Sequence, residues 1–186
     1  MKIWKYAVLA LVAVALLAGC ATQETVDTKN IPDFYLNPPF AEDAIYGVGD
    51  AKMSSLSTSR TMALSRARDD IARQVEVTVK NAITDYAQEA GSGDNKQVIE
   101  FAETVSRQLV DTVLRMAKTK EVAVGEDGTV YAMVEYGTNS LVEAAQETFQ
   151  RNEAAAFAEF KADQALQKLN AELQNNPPQA GQGGGQ

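Results

Sequence analysis

The stretch Ala44-Ile45-Tyr46-Gly47-Val48-Gly49-Asp50-Ala51 decides the fold of this chain. Ile45, Tyr46 and Val48 favour a pleated surface, so we predict the first strand here. The two glycines indicate a bulge or a close approach by another backbone segment. A dinucleotide-binding fingerprint would need a third glycine at position 52, which is Lys, so no phosphate site is predicted.

Two helices are predicted directly after this strand. Residues 54–90 repeat apolar side chains every three or four positions, at Leu64, Ala67, Ile71, Val75, Val79, Ala82 and Tyr86. A short Gly-rich link precedes a second helix over residues 96–118, which predicts antiparallel packing of the two helices. On the polar side of the first helix, Arg66 with Asp70 and Asp69 with Arg73 stand four residues apart, so we expect two solvated ion pairs.

The second half of the chain is predicted to hold a hairpin and one more helix. Residues 121–124 and 129–136 are β-rich runs on either side of a turn rich in Gly and Asp. Residues 139–173 have the pattern of a third helix. The element order is therefore β-α-α-β-β-α, which defines an α+β fold with a small three-stranded, mostly antiparallel sheet and long helices on one face.

A proline-rich segment, residues 31–39, precedes the first strand. Its three prolines argue against helix, and its aromatic residues are apolar enough to pack. We predict an ordered arm that lies across the domain; the alternative is a proline-rich ligand for a partner's groove.

The first 20 residues have the three parts of an export signal. Lys2 and Lys5 precede a wholly apolar run over residues 7–18, too short to cross a bilayer, which needs about 20 residues. The run ends in Leu17-Ala18-Gly19-Cys20, which resembles the bacterial lipobox. In that motif, signal peptidase II cuts between Gly19 and Cys20, and Cys20 receives an S-diacylglycerol and an N-acyl chain. The alternative is an ordinary secretory signal with a chance Cys.

The lipid would anchor the protein permanently, because each buried methylene contributes about 0.8 kcal/mol and two or three chains are present. Ala21 stands where an Asp would retain a sorted lipoprotein in the inner membrane. The lipobox resemblance therefore implies an outer-membrane location, lipid-anchored and facing the periplasm. The membrane, reached through this anchor, is one predicted partner.

These patterns divide the chain into five parts. They are a signal peptide (1–19), a polar tether (20–30), an α+β domain (31–138), a C-terminal helix (139–174) and a disordered Pro/Gly/Gln tail (175–186). The tether can extend over at most about 35 Å. The C-terminal helix is longer than a small sheet can cover, which suggests contact with a second copy or an envelope protein.

Composition excludes several classes of function. Loss of Lys2 and Lys5 with the signal leaves 15 of 17 basic residues against 25 acidic ones, a net charge of −10, so no nucleic-acid partner is predicted. The chain has no His and a single Cys, Cys20, which the lipid would use. We therefore predict no disulfide, no metal site, and no cofactor beyond the covalent lipid on Cys20. Glu103, Arg107 and Asp111 look like a carboxylate pair, but a surface ion chain explains them better.

Three segments follow the lipobox-like motif in a fixed order. They are the arm Ile31-Pro32-Asp33-Phe34-x-x-Asn37-Pro38-Pro39, the strand Tyr46-Gly47-Val48-Gly49 and an Ala/Arg-rich helix. This combination resembles the twenty-kilodalton outer-membrane lipoprotein family, over residues 31–136. Phe34 stands where that family often has Trp. The resemblance implies location and architecture, and it carries over no catalytic residue.

We predict a non-enzymatic structural or assembly factor of the cell envelope. No Gly-x-Ser-x-Gly, His, Cys pair or phosphate loop supports catalysis. One alternative is a binder of a small ligand or peptidoglycan fragment, in which an oligomer of the domain encloses an aromatic pocket lined by Tyr46, Tyr131 and Tyr136. Another is an accessory factor of flagellar or envelope machinery, and a hydrolase using Asp and Glu is the least supported.

Overall fold

The computed structural model describes residues 30–93 and 95–181. Its elements are α1 (Asp33–Leu36), β1 (Ala44–Ala51), α2 (Leu56–Glu89), α3 (Lys96–Met116), β2 (Lys118–Val124), β3 (Val130–Gly137), α4 (Thr138–Asn152), a 3₁₀ turn (Glu153–Ala155) and α5 (Ala162–Asn175). The predicted α+β class and the order β-α-α-β-β-α are confirmed. The signal peptide, the lipobox and the tether up to residue 29 lie outside the described residues, as does the tail from residue 182.

The three strands form one antiparallel sheet in the order β1-β3-β2. β1 runs alongside β3 from the pair Ala44–Gly137 to the pair Ala51–Val130, without a break in register. β2 and β3 form the predicted hairpin, and β2 carries an irregularity between Thr119 and Glu121. Because β3 is the central strand, it pairs on one side with β1, far away in the sequence, and on the other side with β2, its neighbour in the hairpin.

Both long helices begin where a side chain caps the first turn. The Ser55 hydroxyl accepts a hydrogen bond from the Thr58 amide at 3.2 Å at the start of α2. The Asn95 side chain accepts one from the Val98 amide at 3.0 Å at the start of α3. These caps satisfy amides that have no partner inside the helix, and they fix the helix starts close to the predicted positions.

The contact between β1 and α2 is unusually close at the two glycines of the first strand. A Cβ on Gly49 would lie 2.5 Å from the Ala63 carbonyl oxygen, and one on Gly47 would lie 2.9 Å from the Ile71 amide nitrogen. Ala63 and Ala67 face this contact and are fully buried. The predicted close backbone approach is therefore present. It is possible because the strand has glycines and the helix has alanines at the contact.

One core fills the space between the sheet and the helices. The strand residues that face it are Ile45, Ala51, Val130, Ala132, Val134 and Tyr136, and the predicted apolar stripe of α2 lies opposite them. Alternate residues on each strand point to the other face of the sheet, as the twofold period of a strand requires. The helices α2 to α5 pack around this core on the first face, as predicted for the long helices, although they number four rather than three.

The predicted single helix over residues 139–173 is wrong. The chain leaves the helix after Asn152 and turns through residues 153–161, and α5 then packs back on α2 and α4. The turn inserts Phe157 and Phe160 into the core, where 4.5 Å separates the ring centroids of Phe160 and Phe101. A continuous helix would have left Leu169 and Leu173 in water, whereas the break buries both.

Two shorter segments also differ from their predictions. Asp33–Leu36 forms one helical turn within the arm, because Pro32 precedes this turn and no proline lies inside it. Residues 176–181 of the predicted disordered tail lie against α2, where the Gly181 amide donates a hydrogen bond to Asp70 at 3.1 Å.

Replacing Gly49 by Ala tests the close contact. The new methyl group would overlap backbone atoms that cannot rotate away, so we expect a loss of about 3 kcal/mol in the free energy of unfolding, the upper end of the usual cost of overpacking. Gly137→Ala is the matched control, since its Cβ would meet no atom closer than 3.5 Å. Chemical denaturation of both variants measures the difference, and equal stabilities would contradict the close contact.

Candidate functional site

The proline-rich arm covers part of the outer sheet face and fixes the point where the tether enters the domain. Phe34 is buried there with Tyr131 and Met133, which form a second apolar cluster separate from the main core. The Tyr35 ring meets the Tyr131 ring edge-on, with 5.0 Å between the ring centroids. The predicted ordered arm is therefore confirmed, and a chain that leaves toward Cys20 starts from a docked segment.

A hydrogen bond to a carboxylate locks the arm in place. The Tyr35 hydroxyl donates to Asp50 Oδ1 at 2.7 Å. Burial, followed by this hydrogen bond and the Asp50 charge, raises the pKa of Tyr35 well above its usual value. The phenol therefore stays protonated at neutral pH and can donate this hydrogen bond.

Three side chains of α2 bind the free edge of β1. Gln74 Nε2 donates to the Tyr46 carbonyl at 2.8 Å. Asp70 Oδ2 accepts from the Val48 amide at 3.1 Å, and Arg66 Nη1 donates to the Asp50 carbonyl at 2.6 Å. Residues 66, 70 and 74 are four apart, so they lie along one side of the helix. We call these three side chains the edge ladder.

Asp70 is the centre of the edge ladder and is only 3 % exposed. Besides the Val48 amide, it accepts hydrogen bonds from Arg73 at 3.1 Å, from Gln74 at 3.4 Å and from the Gly181 amide at 3.1 Å. The predicted solvated pair between Arg66 and Asp70 is wrong, because Arg66 bonds a strand carbonyl. Arg73 likewise pairs with Asp70 rather than with Asp69.

A groove of about 610 Å³ opens beside Asp70, between α2 and the C-terminal tail. α2 contributes one side, which includes Gln74 and Thr78, and the end of α5 contributes Glu172. Residues 175–179 close the other side. This groove combines carboxylate, amide and hydroxyl groups with the apolar surfaces of Val77, Pro177 and Pro178, which makes it a candidate ligand site in the described part of the chain.

The three tyrosines proposed as an aromatic pocket do not come together. Tyr46 and Tyr131 lie on the outer sheet face, whereas Tyr136 faces the helices and donates to the Ser140 carbonyl at 3.3 Å. Burial raises the pKa of Tyr136 above its usual value, and the charge of Glu143 adds to this. A ligand inside one copy could therefore not contact all three rings.

The predicted ion chain on α3 is present only in part, because Arg107 pairs with Glu103 and, among the described residues, makes no ion pair with Asp111. Arg107 lies 3.4 Å from Glu103, and both side chains are largely exposed. Within residues 30–93 and 95–181, no cluster of three or more His, Cys, Asp or Glu side chains has the geometry to hold a metal ion. In the same residues, no helix combines the length and the apolar character needed to cross a membrane.

Neither the burial of Asp70 nor the tail that covers it was predicted from the sequence. A charged residue on a helix is normally exposed, so its type alone gives no signal of burial. The signal available was the spacing of Arg66, Asp70 and Gln74 on the helix that follows a Gly-x-Gly strand. Cys20, Gly19 and the lipid they predict lie outside the described residues, so they stay predictions.

Asp70→Ala tests the edge ladder. The substitution leaves the Val48 amide and the Arg73 guanidinium without their acceptor, so we expect a loss of about 3 kcal/mol in the free energy of unfolding. The adjacent exposed residue provides the control, and Asp69→Ala should change stability by less than about 0.5 kcal/mol. Urea denaturation compares the two, and similar small losses would show that Asp70 is not a structural centre.

Comparison with known proteins matches the chain to one family. A family model described as LPP20 lipoprotein matches residues 32–136, which run from the arm to the end of β3. The match thus includes the close glycine contact and the edge ladder. No curated protein and no solved structure gives a significant match to the chain.

Proposed function

The chain belongs to the LPP20 lipoprotein family, and from this we propose that it is a lipid-anchored, non-enzymatic structural or assembly factor of the cell envelope. The observation that carries the proposal is the Leu17-Ala18-Gly19-Cys20 motif, ten residues ahead of the docked arm. Cleavage before Cys20 and attachment of an S-diacylglycerol and an N-acyl chain would place the domain in the outer membrane, facing the periplasm.

The position of the arm supports this proposal. The tether would enter the domain at residue 31, where Phe34 and Tyr35 hold the arm on the outer sheet face. A pull on the tether would therefore act on a docked segment of the domain. The net charge of −10 after cleavage would keep the domain away from anionic head groups, so the lipid alone would provide attachment.

The family is not a known enzyme family, and a non-catalytic role agrees with the absence of His from the chain. We extend the proposal to a protein partner, either a second copy or a component of flagellar or envelope machinery, bound through residues 139–174. The apolar residues of α4 and α5 are used within the domain. Such a partner would therefore contact the exposed polar side, at Gln146, Gln150 and Gln167.

Metabolic labelling with a palmitate analogue tests the anchor. The natural protein should be labelled and recovered with the outer membrane, whereas Cys20→Ser should be unlabelled because the thiol that receives the lipid is gone. Gly19→Ala keeps a small residue before the cleavage site, so it should be labelled normally. Equal labelling of the natural protein and Cys20→Ser would overturn the proposed anchor.

Site-specific photo-crosslinking in cells tests the partner surface. A crosslinker at Gln146, Gln150 or Gln167 should give a discrete crosslinked product, because these side chains are exposed on α4 and α5. The control position is Glu103, on the exposed side of α3. Absence of products at all three positions, or the same product at Glu103, would contradict a partner surface on α4 and α5.

A further inference from the structure

The groove beside Asp70 has no part in the proposed anchor, and none of the partner-contact positions Gln146, Gln150 and Gln167 lines it. It lies between one side of α2 and the segment in which α5 ends and the tail begins. Its volume of about 610 Å³ is within the range of small-ligand sites. The polar groups along the groove indicate the chemical class of ligand that it would bind.

Two polar groups at the groove lack a hydrogen-bond partner within the described residues. Gln74 Oε1 is buried and accepts no hydrogen bond. The donor side of this amide is fixed by the Tyr46 carbonyl at 2.8 Å, so the oxygen cannot exchange places with the nitrogen. Burial of an acceptor without a partner costs free energy. Such a group therefore needs an explanation, and a bound ligand that donates a hydrogen bond is one.

Thr78 provides the second group. It is only 6 % exposed, lines the groove, and makes no hydrogen bond in the part of the chain that the structure describes. Threonines in helices often donate to the carbonyl four residues earlier. Thr61, Thr104, Thr112 and Thr148 all do so in this protein, at 2.7 to 3.2 Å. The Thr78 hydroxyl is thus available to a group in the groove.

The charges of the groove favour a cationic group on the ligand. Asp70 is paired with Arg73, and Glu76 is paired with Lys80 at 2.7 Å. Glu172 accepts only a hydrogen bond from the Asn176 side chain at 3.2 Å. Lys168, one turn earlier on α5, has its ion pair with Glu89, and its charge also interacts with that of Glu172 at longer range. Glu172 is thus the groove carboxylate without a direct ion pair in the described part of the chain, and it can pair with a cation from outside.

We propose that this groove binds a short peptide that carries one free amino group. Glu172 would pair with the amine, and the Thr78 hydroxyl together with the side-chain amides of the groove would bind peptide groups. The neighbouring Asp70 already binds a backbone amide, that of Gly181 in the tail. A sugar is the less favoured ligand, because no aromatic ring lines the described groove for a sugar to stack on.

Titration followed by amide and methyl NMR tests this proposal with the full chain in detergent. The probe is the peptide N-acetyl-Ala-Ala-Lys-amide, and the matched probe N-acetyl-Ala-Ala-norleucine-amide has the same backbone without the amine. The lysine peptide should shift signals of residues 74–81 and 172–179. It should bind at least about tenfold more tightly than the norleucine peptide, because only its amine pairs with Glu172.

Two variants assign the effect to the groove. Glu172→Gln should remove the preference for lysine over norleucine, and Thr78→Val should weaken the binding of both peptides. Glu121→Gln and Thr104→Val, which change the same residue types away from the groove, should leave both affinities unchanged. Thermal denaturation of every variant confirms that it is folded.

Three results would overturn the proposal. The first is that neither peptide shifts the groove signals. The second is that both peptides bind equally to the natural protein, or that Glu172→Gln keeps the preference for lysine. The third is that chitotriose, a sugar without peptide or free amine, shifts these signals while the lysine peptide does not.

Discussion

The close contact between β1 and α2 is the constraint on which the rest of the structure depends. Gly47 and Gly49 on the strand meet Ala63 and Ala67 on the helix, and no larger residue fits at either glycine. Because the helix lies so near to the strand, its side chains can reach around the strand edge. The edge ladder, the burial of Asp70 and the position of the tail all follow from this short distance.

The two edges of the sheet are protected in different ways. The edge of β1 is closed by Arg66, Asp70 and Gln74, which bind the backbone groups that another strand would otherwise use. The edge of β2 is exposed, but it carries Lys118, Lys120 and an irregular register. Both arrangements oppose edge-to-edge pairing. A protein concentrated on a membrane surface by a lipid would need such protection.

The strands, the first two long helices and the hairpin could be predicted from sequence periodicity. In each of them the spacing of apolar residues within the segment itself indicates the element. Periodicity failed between Asn152 and Ala162, because Phe160 fits a helical repeat and only the tertiary core explains why the chain turns there. The burial of Asp70 and the position of the tail could not be predicted for a related reason. Their contact joins residues that are 111 positions apart in the sequence. For the candidate sites, the resemblance to a lipobox can be recognised from sequence alone, whereas the groove depends on the folded position of the tail.

Hydrogen exchange at the Val48 amide tests the central claim most directly. This amide points away from β3, and its acceptor in the structure is the buried Asp70 carboxylate. Our account predicts that it exchanges as slowly as the amides of Gly47 and Gly49, which point toward β3 within the sheet. Exchange as fast as that of Lys120, at the open edge of β2, would contradict it.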